Sequence, residues 1–133
     1  MKTGIVRFGY QHMAFLGPES KSAAEASECA DEQGKFWEYH DKLFASQAGE
    51  NQGAFSNDKL KKFAADLKLD TAKFNACLDS GKYSSVVENE TLAAQSMGVQ
   101  GTPAFLVNGQ PFVRAQSFEA FQQAIESERQ KKR

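Results

Sequence analysis

The chain of 133 residues has little of what several classes of protein require. It contains only two cysteines, Cys29 and Cys77, and no Cys-x-x-Cys motif occurs in it. No apolar run approaches the roughly 18 residues that a membrane-spanning helix needs. Neither a glycine-rich phosphate loop nor the spacing of a Ser-His-Asp triad is present. These absences argue against a membrane protein, a P-loop nucleotide-binding protein and a serine hydrolase.

The charges of the chain nearly balance. Sixteen lysines and arginines stand against seventeen acidic residues, which gives a net charge of -1 and a pI near 6.1. This balance gives no electrostatic reason to expect nucleic acid or an anionic membrane as a partner. Residues 1–8 do not resemble a secretion signal, because their apolar region is too short and Arg7 interrupts it. As written, the chain is expected to be cytoplasmic, and extracytoplasmic if a segment precedes Met1.

The composition favours a packed globule. Hydrophobic residues make up 41% of the chain and include eleven phenylalanines, which argues against disorder. A chain of this length is long enough to bury a core, so we expect a single domain over residues 1–133. Residues 5–15 are rich in β-branched and aromatic side chains, and Val6, Phe8 and Tyr10 share one face at period two. This pattern predicts a strand.

Five helices are predicted between residues 18 and 97, and a sixth follows Ser117. Apolar residues recur in them at spacings of three and four, with capping residues or glycines near their ends. Their starts are predicted at Pro18 or the Ser22 capping box, at Lys35, after Ser56, after Asp70 and at Tyr83. The second helix has an aromatic face that we interpret first as core and second as a binding groove. Its members are Phe36, Trp37, Tyr39 and Phe44.

The clearest local pattern covers residues 99–113. Pro103 cannot donate a hydrogen bond to a strand ladder, so it belongs at the start of a strand or just before it. The apolar run that follows reaches Asn108-Gly109, after which apolar residues resume, and this pattern predicts a β-hairpin. The predicted order is a strand, several helices, a hairpin and a last helix, which is an α/β arrangement.

Several motifs together resemble the DsbA-like branch of the thioredoxin-fold superfamily, and they cover nearly the whole chain. They are Phe8-Gly-Tyr-Gln-His12, Gly17-Pro-Glu-Ser20, Glu28-Cys-Ala, Gln33-Gly-Lys-Phe-Trp-Glu-Tyr-His40, Gly98-Val-Gln-Gly-Thr-Pro-Ala-Phe105 and Asn108-Gly109. The resemblance implies a thioredoxin-like fold in which a multi-helix insertion, about residues 18–97, separates an N-terminal strand from a C-terminal β-hairpin and helix. It also implies that Gly101, Thr102 and Pro103 form the family's cis-proline loop, which offers backbone groups to a polypeptide substrate.

The chain departs from that family in two respects. Its members use a Cys-x-x-Cys that opens the first helix, where the helix N-terminus lowers the pKa of a thiol. This chain has no such motif, and Met1 falls where the family's second core strand begins. Arg114 stands where the family usually has a glycine. The resemblance therefore implies an incomplete thioredoxin-like fold without the catalytic dithiol.

Cys29 and Cys77 lie within predicted helices. They are either buried thiols that pack as small hydrophobic side chains or a structural disulfide between two insertion helices. The resemblance implies the second alternative, since some DsbA-like proteins carry such a pair. A catalytic pair is disfavoured because its cysteines must be adjacent at an exposed helix start. Together with His12 and His40 they lack the spacing of zinc ligands, so we expect no metal and no cofactor.

The absence of a first strand predicts two unpaired sheet edges, at residues 5–10 and 104–107. The N-terminal strand could slide into the gap, two copies could pair or exchange strands, or another protein could supply the strand. We expect a homodimer formed by strand pairing or exchange, because an identical chain is always available.

Two functions are compatible with the sequence. In the first, the chain is a redox-inactive DsbA-like protein that binds a polypeptide or a partner protein at Gly101, Thr102 and Pro103. In the second, it is part of an active thiol-disulfide oxidoreductase whose Cys-x-x-Cys lies upstream of Met1. The sequence leaves open whether the chain itself is an enzyme.

Overall fold

The computed structural model describes residues 1–132, and at residue 113 the backbone alone. The described chain forms two compact units, one of Met1–Gln11 with Gln95–Arg133 and one of His12–Ala94. Along the chain, the helices and strands are α1 Pro18–Asp31, α2 Phe36–Ala45, α3 Asn57–Asp66, α4 Thr71–Ser80, α5 Ser84–Ser96, β1 Ala104–Val107, β2 Gln110–Val113 and α6 Phe118–Lys131.

The unit His12–Ala94 is helical and contains the hydrophobic core. Helix α1 packs against α2, α3 and α4, and each helix turns an apolar face inward because its apolar residues recur at three and four positions. Tyr39, Leu60 and Phe74 are fully buried there. The Tyr39 hydroxyl donates to the backbone carbonyl of Leu60 at 2.8 Å, so the one polar group of this side chain is satisfied inside the core.

Local sequence signals set several helix boundaries, as predicted. The Asp70 carboxylate accepts a hydrogen bond from the backbone N–H of Lys73 at 3.1 Å and caps α4. The Ser117 hydroxyl accepts from the N–H of Ala120 at 3.2 Å and caps α6. Gly81 ends α4 with a φ of 64°, a left-handed conformation that glycine adopts without steric cost. The predicted caps at Asp70 and Ser117 are confirmed.

The N-terminal strand predicted over residues 5–15 is absent from the described structure, which corrects this element of the predicted fold. A strand needs a neighbouring backbone to bond to, and the described strands β1 and β2 pair only with each other. The backbone N–H of His12 donates instead to the Glu90 carboxylate at 2.7 Å, and that of Ala14 to the Thr91 hydroxyl at 3.0 Å. Side chains of α5 thus take hydrogen bonds that a strand would give to a sheet.

The aromatic face of α2 is less buried than predicted. Tyr39 is fully buried, whereas Trp37 and Phe44 are 45% and 57% exposed. Ring centroids lie 5.4 Å apart between Trp37 and His40, and 4.6 Å apart between His40 and Phe44. These rings cover one another on the outside of α2, so the interpretation as core holds for Tyr39 and is wrong for Trp37 and Phe44.

The unit of Met1–Gln11 and Gln95–Arg133 contains the hairpin and the last helix. Strands β1 and β2 run antiparallel, and α6 packs against β1. The Phe121 ring on α6 lies edge-on to Phe105 of β1, with 4.9 Å between the ring centroids, and 4.6 Å from that of Phe112 on β2. The predicted hairpin and the predicted last helix are confirmed.

Candidate functional site

The loop between α5 and β1 carries the three residues that the sequence singles out for binding. Gly101, Thr102 and Pro103 are all exposed, and the Thr102–Pro103 peptide bond is cis. Within residues 1–132, the backbone groups of Gly101 and Thr102 form no hydrogen bond with another residue. Their N–H and C=O groups are therefore directed to solvent and are open to a bound molecule.

The hairpin that follows the loop has two different edges. Asn108 and Gly109 have φ values of 49° and 81°, as a two-residue type I′ turn requires. Such a turn makes Val107↔Gln110 a hydrogen-bonded pair, and hydrogen-bonded pairs then alternate along the ladder. The N–H and C=O of Leu106, which lies one position further along, therefore point away from β2. They form the outer edge of β1.

Pro111 blocks the corresponding position on β2. It lies directly opposite Leu106, at a pair that does not exchange hydrogen bonds, so the ladder loses nothing by its missing N–H. The same missing N–H leaves the outer edge of β2 without a donor at that point. The outer edge of β1 is therefore the better acceptor of a further strand.

A cavity of about 670 Å³ lies beside β1. One wall is the segment from Ile5 to Gly9, another is β1 itself, and a third is α6. The α6 wall is apolar at Phe121 and Ile125, while Leu106 of β1 is 52% exposed. All these residues belong to one compact unit. Hereafter we call this cavity, together with the outer edge of β1, the β1 groove.

The charged lining of the β1 groove is mainly basic. It comprises Arg7, Arg129 and Lys132 against one carboxylate, Glu128. Hydrogen bonding from Lys131 is the main cause that holds the pKa of Glu128 below its usual range, so this carboxylate is ionised and already neutralised by Lys131. The positive charges of Arg7, Arg129 and Lys132 therefore dominate the electrostatics of the groove.

The structure brings Cys29 and Cys77 together in the other unit. Their sulfur atoms are 2.09 Å apart and their Cα atoms 5.9 Å apart, so a disulfide joins α1 to α4. The two side chains are 1% and 6% exposed. Both lie among helix-packing residues of the core, so this pair contributes to the helical core and presents no thiol to a substrate.

Each of the two histidines lies beside a carboxylate. His12 is buried, and its Nε2 lies 2.7 Å from Oε1 of Glu28. His40 has its Nδ1 at 3.0 Å from the carboxylate of its neighbour Asp41. Neither histidine lies with Cys29 or Cys77 in a cluster of potential metal ligands within the described part of the chain.

Sequence reasoning missed the contribution of α6 to the β1 groove. Glu128, Arg129 and Lys132, at the end of this helix, line the cavity. A signal was present, because Phe121, Ile125 and residues 128–129 recur at helical spacing and therefore share one face. The sequence therefore predicts that the basic C-terminal end of α6 shares a face with Phe121 near its start.

Comparisons with known proteins define the class. A sequence model of the family described as thioredoxin matches residues 1–127. Disulfide bond formation protein D of Bacillus subtilis (strain 168) is 31% identical over 132 residues, which cover 94% of this chain and 58% of that protein. Na(+)/H(+) antiporter NhaA 3 of Salinispora tropica is 34% identical over 124 residues, covering 92% of this chain and 18% of that protein.

A solved structure agrees with these matches. The crystal structure of a thioredoxin-like oxidoreductase from Silicibacter pomeroyi DSS-3 aligns with a TM-score of 0.74 at 23% identity, covering 91% of this chain and 67% of that chain. The chain belongs to the DsbA-like thioredoxin-fold family, which is a family of thiol-disulfide oxidoreductases, and its fold is an incomplete thioredoxin-like fold. None of the helices in residues 1–132 is both long enough and apolar enough to cross a membrane.

Proposed function

We propose that this chain binds extended polypeptide through the backbone of Gly101, Thr102 and Pro103 and performs no dithiol exchange by itself. The observation that carries this proposal is the open backbone of the loop. The three residues are exposed, and the polar backbone groups of Gly101 and Thr102 have no partner within residues 1–132. An extended polypeptide has the matching row of N–H and C=O groups.

The state of the cysteines supports the absence of dithiol chemistry in this chain. Thiol-disulfide exchange begins with attack by an accessible thiolate. Cys29 and Cys77 are the only cysteines of the sequence, they are bonded to each other, and both are buried. The chain therefore offers binding without a nucleophile.

The lengths of the relatives favour a second candidate function. Disulfide bond formation protein D of Bacillus subtilis matches over 94% of this chain, but the match covers only 58% of that protein. In this second proposal, the chain is part of an active disulfide oxidoreductase, and a Cys-x-x-Cys lies on residues upstream of Met1. The loop of residues 101–103 would then bind the polypeptide beside that dithiol. The coding sequence immediately before Met1 distinguishes the two proposals.

Blocking the loop tests the binding. A Cβ at Gly101 meets no atom within 4 Å, and its φ is not in the left-handed region, so the Gly101→Phe variant is expected to fold. Its side chain would obstruct the approach to the backbone. We expect Gly101→Phe to weaken binding of an S-carboxymethylated, permanently unfolded polypeptide by about tenfold or more. The matched control is Lys59→Phe, at an exposed position of α3. Equal binding by both variants would contradict the proposal.

A redox assay tests the absence of exchange chemistry. We expect the chain to oxidise a dithiol peptide and to reduce insulin no faster than its Cys29→Ala/Cys77→Ala variant. Turnover above that control would show that these cysteines react, and the redox-inactive function would be wrong.

A further inference from the structure

We propose that Asn108, at the tip of the hairpin, is a site of spontaneous deamidation, and that the isoaspartate formed there opens the hairpin at its turn. This modification involves neither a bound polypeptide nor a Cys-x-x-Cys, so the inference goes beyond the proposed function. It depends on the residue that follows Asn108, on the exposure of the turn and on the shallow packing of the unit that contains it.

The backbone nitrogen that follows Asn108 is open to reaction. Deamidation begins when the nitrogen of the next residue attacks the side-chain carbonyl carbon of an asparagine. Asn108 and Gly109 are both exposed, and the N–H of Gly109 has no hydrogen-bond partner within residues 1–132. Gly109 has no Cβ of its own, and a Cβ added there would meet no atom within 4 Å. Side chains therefore leave this nitrogen uncovered.

The reaction balances with water as its only co-reactant. A bond forms between the Gly109 nitrogen and Cγ of Asn108, the bond from Cγ to the side-chain nitrogen breaks, and ammonia leaves with the amide proton of Gly109. The cyclic imide then takes up water. Attack of water on the backbone carbonyl carbon of Asn108 gives isoaspartate, and attack on Cγ gives aspartate. No electron is transferred in either step.

The packing of the hairpin allows the motion that this reaction requires. Closure of the imide ring needs rotation about the Cα–C bond of Asn108, so the turn must open transiently. Among the described residues of Met1–Gln11 and Gln95–Arg133, no side chain is buried. Segments with few buried apolar contacts open at a low free-energy cost. The hairpin tip can therefore reach the reactive conformation without unfolding of the helical unit.

The other four asparagines of the chain are less suited to the reaction, because none of them is followed by glycine. Their sequence pairs are Asn51-Gln52, Asn57-Asp58, Asn75-Ala76 and Asn89-Glu90. The last three of these asparagines lie within helices. The side chain of Asn51 is held at both ends, since its Nδ2 donates to the carbonyl of Leu16 at 2.6 Å and its Oδ1 accepts from the N–H of Glu19 at 3.3 Å. These four residues are internal references for Asn108.

Isoaspartate does not fit a two-residue turn. In isoaspartate the main chain runs through Cβ and Cγ, which adds one carbon atom to the backbone. The type I′ turn closes the Val107↔Gln110 pair through two residues of ordinary backbone length, both with positive φ. The longer main chain changes this closure, so the hydrogen bonds of the Val107↔Gln110 pair are weakened or lost.

Both products also loosen the turn from α6. Hydrogen bonds from Lys131 and, to a smaller extent, from the side-chain amide of Asn108 hold the pKa of Glu128 below its usual range. Each product has a carboxylate in place of this amide, and an ionised carboxylate has no hydrogen to donate. The contact between the turn and Glu128 is therefore lost with the amide.

Peptide mapping of the full chain tests the site. The protein is incubated at neutral and at mildly alkaline pH, and fragmentation mass spectrometry localises each conversion of an amide to an acid. We expect Asn108 to convert about tenfold faster or more than each of the other asparagines, because only Gly109 presents a nitrogen beside which no Cβ stands. Conversion of any other asparagine at the rate of Asn108 or faster would overturn the proposal.

A matched pair of substitutions tests the role of Gly109. Aspartate tolerates positive φ, and the space around Gly109 admits its Cβ, so Gly109→Asp is compatible with the turn. We expect this variant to convert Asn108 about tenfold more slowly. Gly98→Asp, at an exposed glycine with a φ of 83° and the same free space, should leave the rate unchanged. Equal rates in the two variants would contradict the role of Gly109, and mapping of the wild-type chain needs neither variant to fold.

The converted protein tests the consequence for the hairpin. Anion-exchange chromatography isolates the chains that have gained a negative charge, and mass spectrometry identifies those that contain isoaspartate. We expect amide hydrogen exchange at Val107 and Gln110 to be about fivefold faster or more in these chains, with α1 and α3 unchanged. Asn108→Asp gains the charge without the extra backbone atom and should show a smaller increase. Unchanged exchange at Val107 and Gln110 in the isoaspartate form would overturn the proposal.

Discussion

The side chains of Glu90 and Thr91 fix the backbone that leads into the helical unit. The Thr91 hydroxyl donates to the carbonyl of Val87 at 2.8 Å and accepts from the N–H of Ala14 at 3.0 Å. Glu90 accepts from the N–H of His12. Thr91 is buried and Ala14 is half-buried, so the hydrogen bond between them is partly shielded from water.

We therefore expect Thr91→Val to lower the free energy of unfolding by about 1–2 kcal/mol, because the nearly isosteric valine leaves the Ala14 N–H without its acceptor. Urea denaturation followed by circular dichroism measures the change. Thr71→Val, at an exposed position of α4, is the control and should stay within about 0.5 kcal/mol of the wild type. A similar loss in both variants would mean that the hydroxyl of Thr91 has no special role.

Glu32, Lys82 and Tyr83 form a polar contact at the surface of the helical unit. Lys82 and the Tyr83 hydroxyl both bond to the Glu32 carboxylate, the latter at 2.7 Å. The hydrogen bonds from Lys82 and then Tyr83 lower the pKa of Glu32. The hydrogen bond to Glu32, with a smaller contribution from desolvation, raises the pKa of Tyr83 to about 12.

The raised pKa of Tyr83 predicts that the stability of the folded chain depends on pH in the alkaline range. The phenol of an unfolded chain titrates near pH 10. The folded state therefore holds the proton more tightly, and the stabilisation is complete below about pH 10 and is lost as the pH rises towards 12. The tyrosinate absorbance that disappears in Tyr83→Phe should report this pKa. Glu32→Gln should move it back towards 10, while Glu38→Gln, an exposed carboxylate on α2, should not. An unchanged titration in Glu32→Gln would contradict the assignment.

At the scale of elements, local signals predicted several features correctly, although Ser56 precedes α3 without the predicted side-chain cap hydrogen bond. The cap at Asp70, the cap at Ser117 and the Asn108-Gly109 turn each depend on atoms within a few residues, and the sequence predicts them correctly. Arg114, which departs from the family's glycine, adopts a φ of 70°. It thus retains the backbone conformation that a glycine would adopt at lower cost.

Pairing between distant elements was harder to predict. The pattern of Val6, Phe8 and Tyr10 suits a strand, but a strand forms only beside a partner backbone, and alternation of side chains contains no information about that partner. The bonds from His12 and Ala14 to side chains of α5 decided the outcome for the second half of this segment.

The disulfide between α1 and α4 links elements that are far apart in sequence. It closes a loop with a separation of 48 residues. In the chain-entropy model, such a cross-link stabilises the fold by about 4 kcal/mol. We expect Cys29→Ala/Cys77→Ala to lower the free energy of unfolding by up to this amount, measured by urea denaturation, and to remove the effect of a reductant.

Thiol titration provides the direct check of the disulfide. Under denaturing, non-reducing conditions, we expect no free thiol in the wild-type chain. Two titratable thiols would support the alternative of two buried cysteines, and the loss of stability in the alanine variant would then have to come from packing alone.

At the scale of the whole chain, burial is unevenly distributed. Among the described residues, every buried side chain lies in the unit His12–Ala94, and none lies in Met1–Gln11 or Gln95–Arg133. Helices α1 to α4 share a common core there. The hairpin and α6 contact one another through rings that are only partly buried.

We expect this difference to appear in amide hydrogen exchange. Backbone protection should be strongest in α1 and α3 and weaker in β1 and α6, because segments with few buried apolar contacts open at lower free-energy cost. Equal protection of α3 and α6 in the free chain would contradict this prediction.

The groove could not be predicted in full from the sequence for a related reason. Among the described strands, residues 104–107 pair only with β2, which agrees with the prediction for this segment. The approach of Arg7 to the same cavity depends on how the N-terminal segment packs, and no local pattern in the sequence encodes that packing.

Pro111 has a consequence for how such chains assemble. Sheet filaments elongate because each added strand exposes a fresh edge that templates the next one. In this hairpin the outer edge of β2 lacks one donor, at Pro111, so a strand added on that side would form one hydrogen bond fewer. Pro111 therefore makes the β2 side of the hairpin a poorer template for a further strand.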